Sequence, residues 1–288
     1  MSRWSCPAGD RPRAAVAAGC RGTRPRWAVA AGCRGARSWL TAAVSQPLPS
    51  LRRPPIGFAH RGGMAHAPEN TLEAFRLALR LGASGLESDA WLTADGVVVL
   101  HHDRSIGTFR KRAIASLRRE QLPSHVPSLD DLYEACGTGY ELALDVKDPA
   151  AVGAVVATAR EAGGDAESRL WLCHGDWQQL ASWRELSAGI RLVDSTRLKR
   201  IAEGPERRAA TLRTAGVDAV NLHHSDWNGG LAALFHRFDR YALGWDAQHE
   251  RVLDELLGAG LDGVFSDHVD RMSSALVRWE RAQSPSPD

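Results

Sequence analysis

The chain reads as an α/β protein built on a closed (β/α)8 barrel, and three observations predict that class. First, from Pro55 onward short apolar runs alternate with helix-length amphipathic segments, about eight times in all. Second, strands alternating with helices of this length imply parallel pairing through right-handed crossovers, which a barrel closes without free edges; a doubly wound open sheet is the alternative arrangement. Third, the apolar runs end in charged or imidazole side chains: His60-Arg61, Glu87 and Asp89, His102-Asp103, Asp145 and Lys147, His174 and Asp176, Asp194, His223-His224, Asp246 and Asp267. In a barrel, reactive groups gather at the carboxyl ends of the strands.

Taken in order, "IGFAHRG" is a buried strand that ends in glycine. "PENTLEAFRLALRLG" follows as a helix with Asn70 or Thr71 at its cap, apolar positions at Leu72, Phe75 and Leu79, and a stop at Gly82. "GLESDAWLT" and "GVVVLHHD" are extended and separated by the turn "ADG". The basic run from Arg110 to Arg119 reads as a solvated helix face, with attraction of anionic substrate or lipid headgroups as the alternative; "PSLDDLYEA" is a helix and "YELALDVK" a strand. Then come a helix from Ala150, the strand "RLWLCHG", a helix from Trp177, the strand "IRLVDS" and a helix from Leu198. The strand "GVDAVNLHH", a helix from Gly230, the strand "YALGWDA", the helix "ERVLDELLGAG" and the strand "DGVFSDH" complete the series.

The first fifty-odd residues differ in kind. "RPRAAVAAGCRG" at Arg11 to Gly22 recurs as "RPRWAVAAGCRG" at Arg24 to Gly35 with one change, in a composition with little to bury. Residues 1–53 are therefore expected to be a disordered Arg/Ala/Gly-rich tail, residues 54–280 the barrel, and 281–288 a frayed end. Ten arginines and one aspartate lie in the first 55 residues, against 26 basic and 33 acidic side chains afterwards. The near-neutral total thus hides an acidic body, which argues against a nucleic-acid partner. No apolar run is long enough to span a bilayer. The five cysteines, unevenly placed, imply neither a disulfide framework nor a metal knuckle. The leader is Arg-rich and acid-poor, as in a transit peptide or an over-extended reading frame, but lacks the apolar segment of a secretory signal; the expected location is the cytoplasm.

Strand parity sharpens the site. Residues two apart share a face, so Glu87 and Asp89 point together, as do Asp145 and Lys147. Carboxylates converging at a barrel mouth repel unless a cation lies among them, and all-oxygen donors suit Mg²⁺ or Ca²⁺.

These features coincide with a known pattern. "HRG" with "APENTLEAF", followed by "GLESDAWLTADGVVVLHHD", "VPSLDDL", "LALDVK" and "DGVFSDHVD", resembles the glycerophosphodiester phosphodiesterase family over about residues 55–270. The resemblance implies a barrel of the phospholipase-C-like phosphodiesterase type. It places the two catalytic histidines at His60 and His102, the phosphate-binding arginine at Arg61, and metal ligands at Glu87, Asp89 and Asp145; the charge of the diester makes Lys147 a phosphate-binding helper. Asp145 stands where the family usually has glutamate, one methylene longer. Glu69, Asp103 and Trp245 are candidate supporting residues; Glu69 reads equally as a helix-start glutamate and Trp245 as a core tryptophan. The implied reaction is attack of the glycerol 2-hydroxyl on phosphorus, with histidines passing protons, then opening of the cyclic phosphate by water. The implied substrate is a small-molecule glycerophosphodiester, and the products are an alcohol and sn-glycerol 3-phosphate. Two other readings stay open at this level: a phospholipase D acting on lysophospholipids or sphingomyelin, and a barrel that binds phosphorylated ligands without turnover.

Overall fold

The structure, a computed structural model, describes residues 47–107 and 110–284. The tandem Arg-rich copies and residues 285–288 lie outside the described residues. Eight parallel strands close on themselves. They are β1 (Ile56–Ala59), β2 (Gly85–Leu92), β6 (Glu141–Val146), β7 (Leu170–His174), β8 (Arg191–Thr196), β9 (Ala219–His223), β10 (Tyr241–Trp245) and β11 (Gly263–Ser266). Each pairs with the next, and β1 pairs with both β2 and β11, which completes the barrel. Between β2 and β6 come β3 (Val98–Leu100), antiparallel to the outer end of β2, and a small hairpin of β4 (Ser105–Ile106) and β5 (Arg112–Ala113). The helices are α1 (Leu72–Arg80), α2 (Leu129–Cys136), α3 (Val152–Ala162), α4 (Trp177–Trp183), α5 (Pro205–Thr214), α6 (Gly229–Arg237), α7 (Glu250–Gly258) and α8 (Val269–Gln283). Among the described residues no helix is long and apolar enough to cross a membrane.

Two cores follow from strand alternation. The inward faces of the strands fill the barrel with Ile56, Phe58, Ala143, Trp171, Cys173, Val193, Ala219, Leu243 and Phe265. Phe58 stacks on Phe265 at 4.5 Å and meets Trp171 edge-on at 6.0 Å. That bulk is accommodated because Gly85 beside it has no Cβ: one built there would lie 2.6 Å from Phe58. The outward faces form a larger core with the helices.

At the amino-terminal end of the barrel, Glu141 is buried and accepts hydrogen bonds from Trp171 Nε1 at 2.7 Å, Arg52 Nη2 at 2.8 Å and Arg169 Nη1 at 3.3 Å. Glu141→Ala would leave the indole N–H without a partner, so a loss of about 2–3 kcal/mol in urea unfolding is expected. Glu141→Gln, which keeps an acceptor, is expected to lose about half as much. The same contact shows the chain following the barrel upstream of Pro55, where the Leu48 amide also donates to the Gly258 carbonyl at 2.9 Å.

Two local expectations are corrected, and one left open between two residues is resolved. The basic run at Arg110 to Arg119 is not helical; it holds β5 and a 3-10 turn at Ile114–Ser116. Its shape is set by burial of Ile114 and Leu117 with Val99, Leu122 and Val126 in a small separate core. The segment from Leu198 makes only a 3-10 turn, and α5 begins at Pro205, because Gly204 adopts φ +86° and Pro205 takes the first helical turn. Finally, Thr71 caps α1, its Oγ1 accepting the Ala74 amide, which frees Asn70 for another task.

Candidate active site

Register determines which carboxylates meet. Asp89 on β2 lies directly beside Asp145 on β6, which lies beside Cys173 on β7. In-register neighbours of parallel strands share a face, and Glu87 precedes Asp89 by two, so all four point into the mouth. Glu87 and Asp89 are buried at 6% and 2% exposure, whereas the Asp145 side chain is 39% exposed.

The turn after β1 is what faces them. Arg61 takes a left-handed conformation, φ +48°, and Gly62 and Gly63 follow at +81° and +80°. A Cβ on Gly62 would lie 2.9 Å from that of Ala74, and one on Gly63 2.6 Å from Val269, so this tight turn needs both glycines. It brings the Arg61 amide to Glu87 Oε2 at 2.8 Å and the guanidinium to Glu69 Oε2 at 2.8 Å, with its Nε 3.6 Å from Asp89. It also places His60 with Nδ1 2.6 Å from Asp267 Oδ1 and Nε2 3.9 Å from Glu87 Oε2. Burial alone would depress the His60 pKa; Glu87 and Asp267 outweigh it and hold the imidazole above its ordinary value.

The carboxylates are incompletely neutralised. Burial pushes Glu87 up to about 7; His60 and the Arg61 amide oppose the rise, while Asp89 and Asp145 add to it. Lys147 Nζ stands between Asp145 Oδ2 at 2.5 Å and Asp89 Oδ1 at 3.1 Å, and these partners override burial to raise the ammonium pKa. The donor set, three carboxylates with a surplus of negative charge, fits a hard divalent cation. The trio is nonetheless not packed into one tight cluster. Among the described residues, the sets of three whose ligand atoms all lie within 4.8 Å are His66, His268 and Asp270, and His223, His224 and Asp246. Lys147 separates Asp89 from Asp145, while Glu87 spends one oxygen on the Arg61 amide.

A cavity of about 370 Å³ opens over these groups, lined by His60, Arg61, Glu87, Asp145, Cys173, Ser195, Asn221, Trp245, Asp246, Gln248, Phe265 and Asp267. A larger groove of about 1150 Å³, lined by residues including Pro68, Asp95, Arg119 and His125, lies away from this chemistry. Trp245 therefore borders the cavity. His102 does not line it: its ring is 38% exposed and pairs with Asp103 at 3.0 Å. The structure thus gathers His60, Arg61, Glu69, Glu87, Asp89, Asp145 and Lys147, while His102 and Asp103 pair with each other outside the cavity lining.

Several contributors escaped sequence reading. Asn70, buried with φ +54°, donates to Asp89 Oδ2 at 3.2 Å, accepts from Ser88 Oγ at 2.7 Å, and bonds the Arg61 carbonyl through its amide at 2.9 Å. It ties the turn to the carboxylates. Asp267 orients His60, and Gln248 Oε1 in turn accepts the Asp267 amide at 2.9 Å. Cys173 lies on the cavity floor, its thiol held well above the ordinary pKa by burial and then by Asp145 and Glu87. Asp267 was visible as a strand-end acid, and Cys173 as the strand position before His174; their partners were not.

Comparison with known proteins agrees with this geometry. The sequence pattern of the glycerophosphoryl diester phosphodiesterase family matches residues 60–271. The chain is similar to the probable glycerophosphodiester phosphodiesterase 2 of Mycobacterium tuberculosis, 25% identical over 258 residues, covering 79% of this chain and 94% of that protein. It also matches human glycerophosphodiester phosphodiesterase 1, 44% identical over 69 residues, about a fifth of each chain. Among solved structures, it resembles a phosphodiesterase of Oleispira antarctica in complex with the product sn-glycerol-3-phosphate, with TM-score 0.66 and 23% identity over 77% of this chain and 97% of that one. The glycerophosphodiester phosphodiesterase of Thermotoga maritima aligns with TM-score 0.66 and 20% identity over 75% of this chain and 95% of that one.

Proposed function

Because the chain belongs to the glycerophosphoryl diester phosphodiesterase family, we propose that it hydrolyses small glycerophosphodiesters to sn-glycerol 3-phosphate and an alcohol, with His60 and His102 as the proton carriers and a divalent cation on Glu87, Asp89 and Asp145. The observation that carries this reading is the convergence, on one cavity at the carboxyl ends of the strands, of an Asp267-braced imidazole, a guanidinium and surplus buried carboxylate charge. When bound, Mg²⁺ or Ca²⁺ would offset the negative charge of the diester and of the developing transition state.

The chain's own residues divide the remaining work. Asp267 holds His60 Nδ1, which leaves Nε2 as the atom that exchanges a proton inside the cavity. Arg61, anchored at Glu69 and near Asp89, presents its fork to the phosphate oxygens. Lys147 adds a second positive charge at the same mouth. In the first half-reaction the glycerol 2-hydroxyl gives its proton to one histidine and bonds to phosphorus. The bond from phosphorus to the leaving alcohol breaks, and that oxygen takes a proton from the other histidine. In the second, water loses a proton and adds to phosphorus, and the ring oxygen leaves with a proton, which returns both histidines to their starting states. Imidazoles suit both directions because they titrate near neutrality.

The phospholipase reading wants an extended apolar groove, which the cavity lining, rich in charged and amide side chains, does not favour. A chemical test separates the proposed route from direct attack by water. The 2-deoxy analogue of glycerophosphocholine is expected to be inert, and glycerol 1,2-cyclic phosphate to be hydrolysed, both followed by ³¹P NMR. Turnover of the 2-deoxy analogue at the parent rate would refute the 2-hydroxyl as nucleophile.

A further inference from the structure

Beside the catalytic cavity lies a second cleft of about 250 Å³, lined by Ser195, Thr196, Arg197, Lys199, Arg200 and Trp245. Ser195 and Trp245 border both spaces, so the two adjoin. Three of the six lining residues are cationic, and none is a carboxylate.

The three cations are not equivalent. Arg197 is already engaged: its Nε and Nη2 donate to Asp226 at 2.7 and 3.2 Å, and its guanidinium carbon lies 5.7 Å from the centre of the Trp245 ring. It acts as a strut that fixes the tryptophan. Lys199 and Arg200, at the end of the 3-10 turn Leu198–Arg200, are exposed and make no ion pair among the described residues. After Arg197 is balanced by Asp226, the cleft retains two unneutralised positive charges.

A cationic headgroup finds little here. The guanidinium of Arg197 lies against the Trp245 ring that would otherwise receive it, and Asp246, the neighbouring acid, is bonded to His223 Nε2 at 3.1 Å and to Gln248 Nε2 at 3.2 Å. A phosphate monoester, carrying close to two negative charges at neutral pH, matches the cleft in sign and size of charge.

We infer that this cleft receives the departing alcohol and selects alcohols that carry a second, terminal phosphate. The inference rests on the proposed phosphodiesterase activity of the adjoining cavity. The reaction is unchanged: water is added across the same phosphodiester bond, and the released alcohol keeps its own phosphate.

The test compares kcat/KM of the full chain, with Mg²⁺ or Ca²⁺, on glycerophosphoinositol and glycerophosphoinositol 4-phosphate, with glycerophosphocholine as a reference. The phosphorylated substrate is expected to be favoured at least about tenfold at low salt, and less as KCl rises. In the Lys199→Ala/Arg200→Ala variant the ratio of the two kcat/KM values is expected to fall to within about twofold of one, and in Lys199→Glu/Arg200→Glu to drop below one. Equal kcat/KM values in the parent, or a preference that survives the double substitution, would overturn the assignment. If glycerophosphocholine is hydrolysed and the terminal phosphate brings no gain, the subsite falls and the proposed function stands; if none of the three is hydrolysed, both fall.

Discussion

His60→Ala is expected to lower kcat for glycerophosphodiester hydrolysis about a thousandfold, the usual scale for loss of a positioned general acid or base. The side chain is not a structural support of the barrel: it follows β1 in a 3-10 turn, and its ring contacts are Asp267 at 2.6 Å and Glu87 at 3.9 Å. Circular dichroism should therefore show an intact fold. Asp267→Asn provides the gradation. It keeps the shape but can present an N–H to Nδ1, which disturbs the tautomer, so a smaller loss of about tenfold to a hundredfold is expected, with the acid limb of the pH–rate profile displaced. If His102 is the second proton carrier, as proposed, His102→Ala should cost as much as His60→Ala. Full activity in His102→Ala would assign that step to a different group.

Charge at the mouth gives the second large effect. In the chelated protein, stability should fall as pH rises from about 5 to 8. The sign follows from two groups. Glu87 is pushed from an ordinary carboxyl value to about 7 in the fold, so the native state holds a proton that the unfolded chain has released; stability present below that window is lost through it. His60 is also raised, so its contribution is complete below the ordinary imidazole value and is lost as pH climbs past the folded one. Both slopes have the same direction. Glu87→Gln should flatten the profile and raise Tm above pH 7, and millimolar Mg²⁺ or Ca²⁺ should do the same in the parent by neutralising the carboxylates. A Tm that is independent of both pH and metal would contradict the charge surplus.

Much of this architecture was legible in the chain because the signals are local. The strands β1, β2, β6 and β7 are short apolar runs flanked by glycine or charge, and parity within "GLESDAWLT" was enough to pair Glu87 with Asp89. What could not be read depends on register and distance. His60 and Asp267 are 207 residues apart, and only the β1–β11 closure makes them partners. Likewise the alignment of Asp89, Asp145 and Cys173 is a property of three strands together. Asn70 was ambiguous because asparagine serves equally as a helix cap or as a left-handed turn residue; the presence of Thr71 next to it decided the matter. The stretch from Arg110 to Arg119 misled because its arginines suggest a solvated helix, whereas Ile114 and Leu117 fix its path by burial.

The most direct measurement is the release of sn-glycerol 3-phosphate from glycerophosphocholine by the full-length protein, followed with Mg²⁺, with Ca²⁺ and with EDTA. Metal-dependent release that disappears in Asp89→Asn, while that variant stays folded, is the expected result. Release that proceeds unchanged in EDTA, or no release with either metal, would contradict a metal-assisted phosphodiesterase built on Glu87, Asp89 and Asp145.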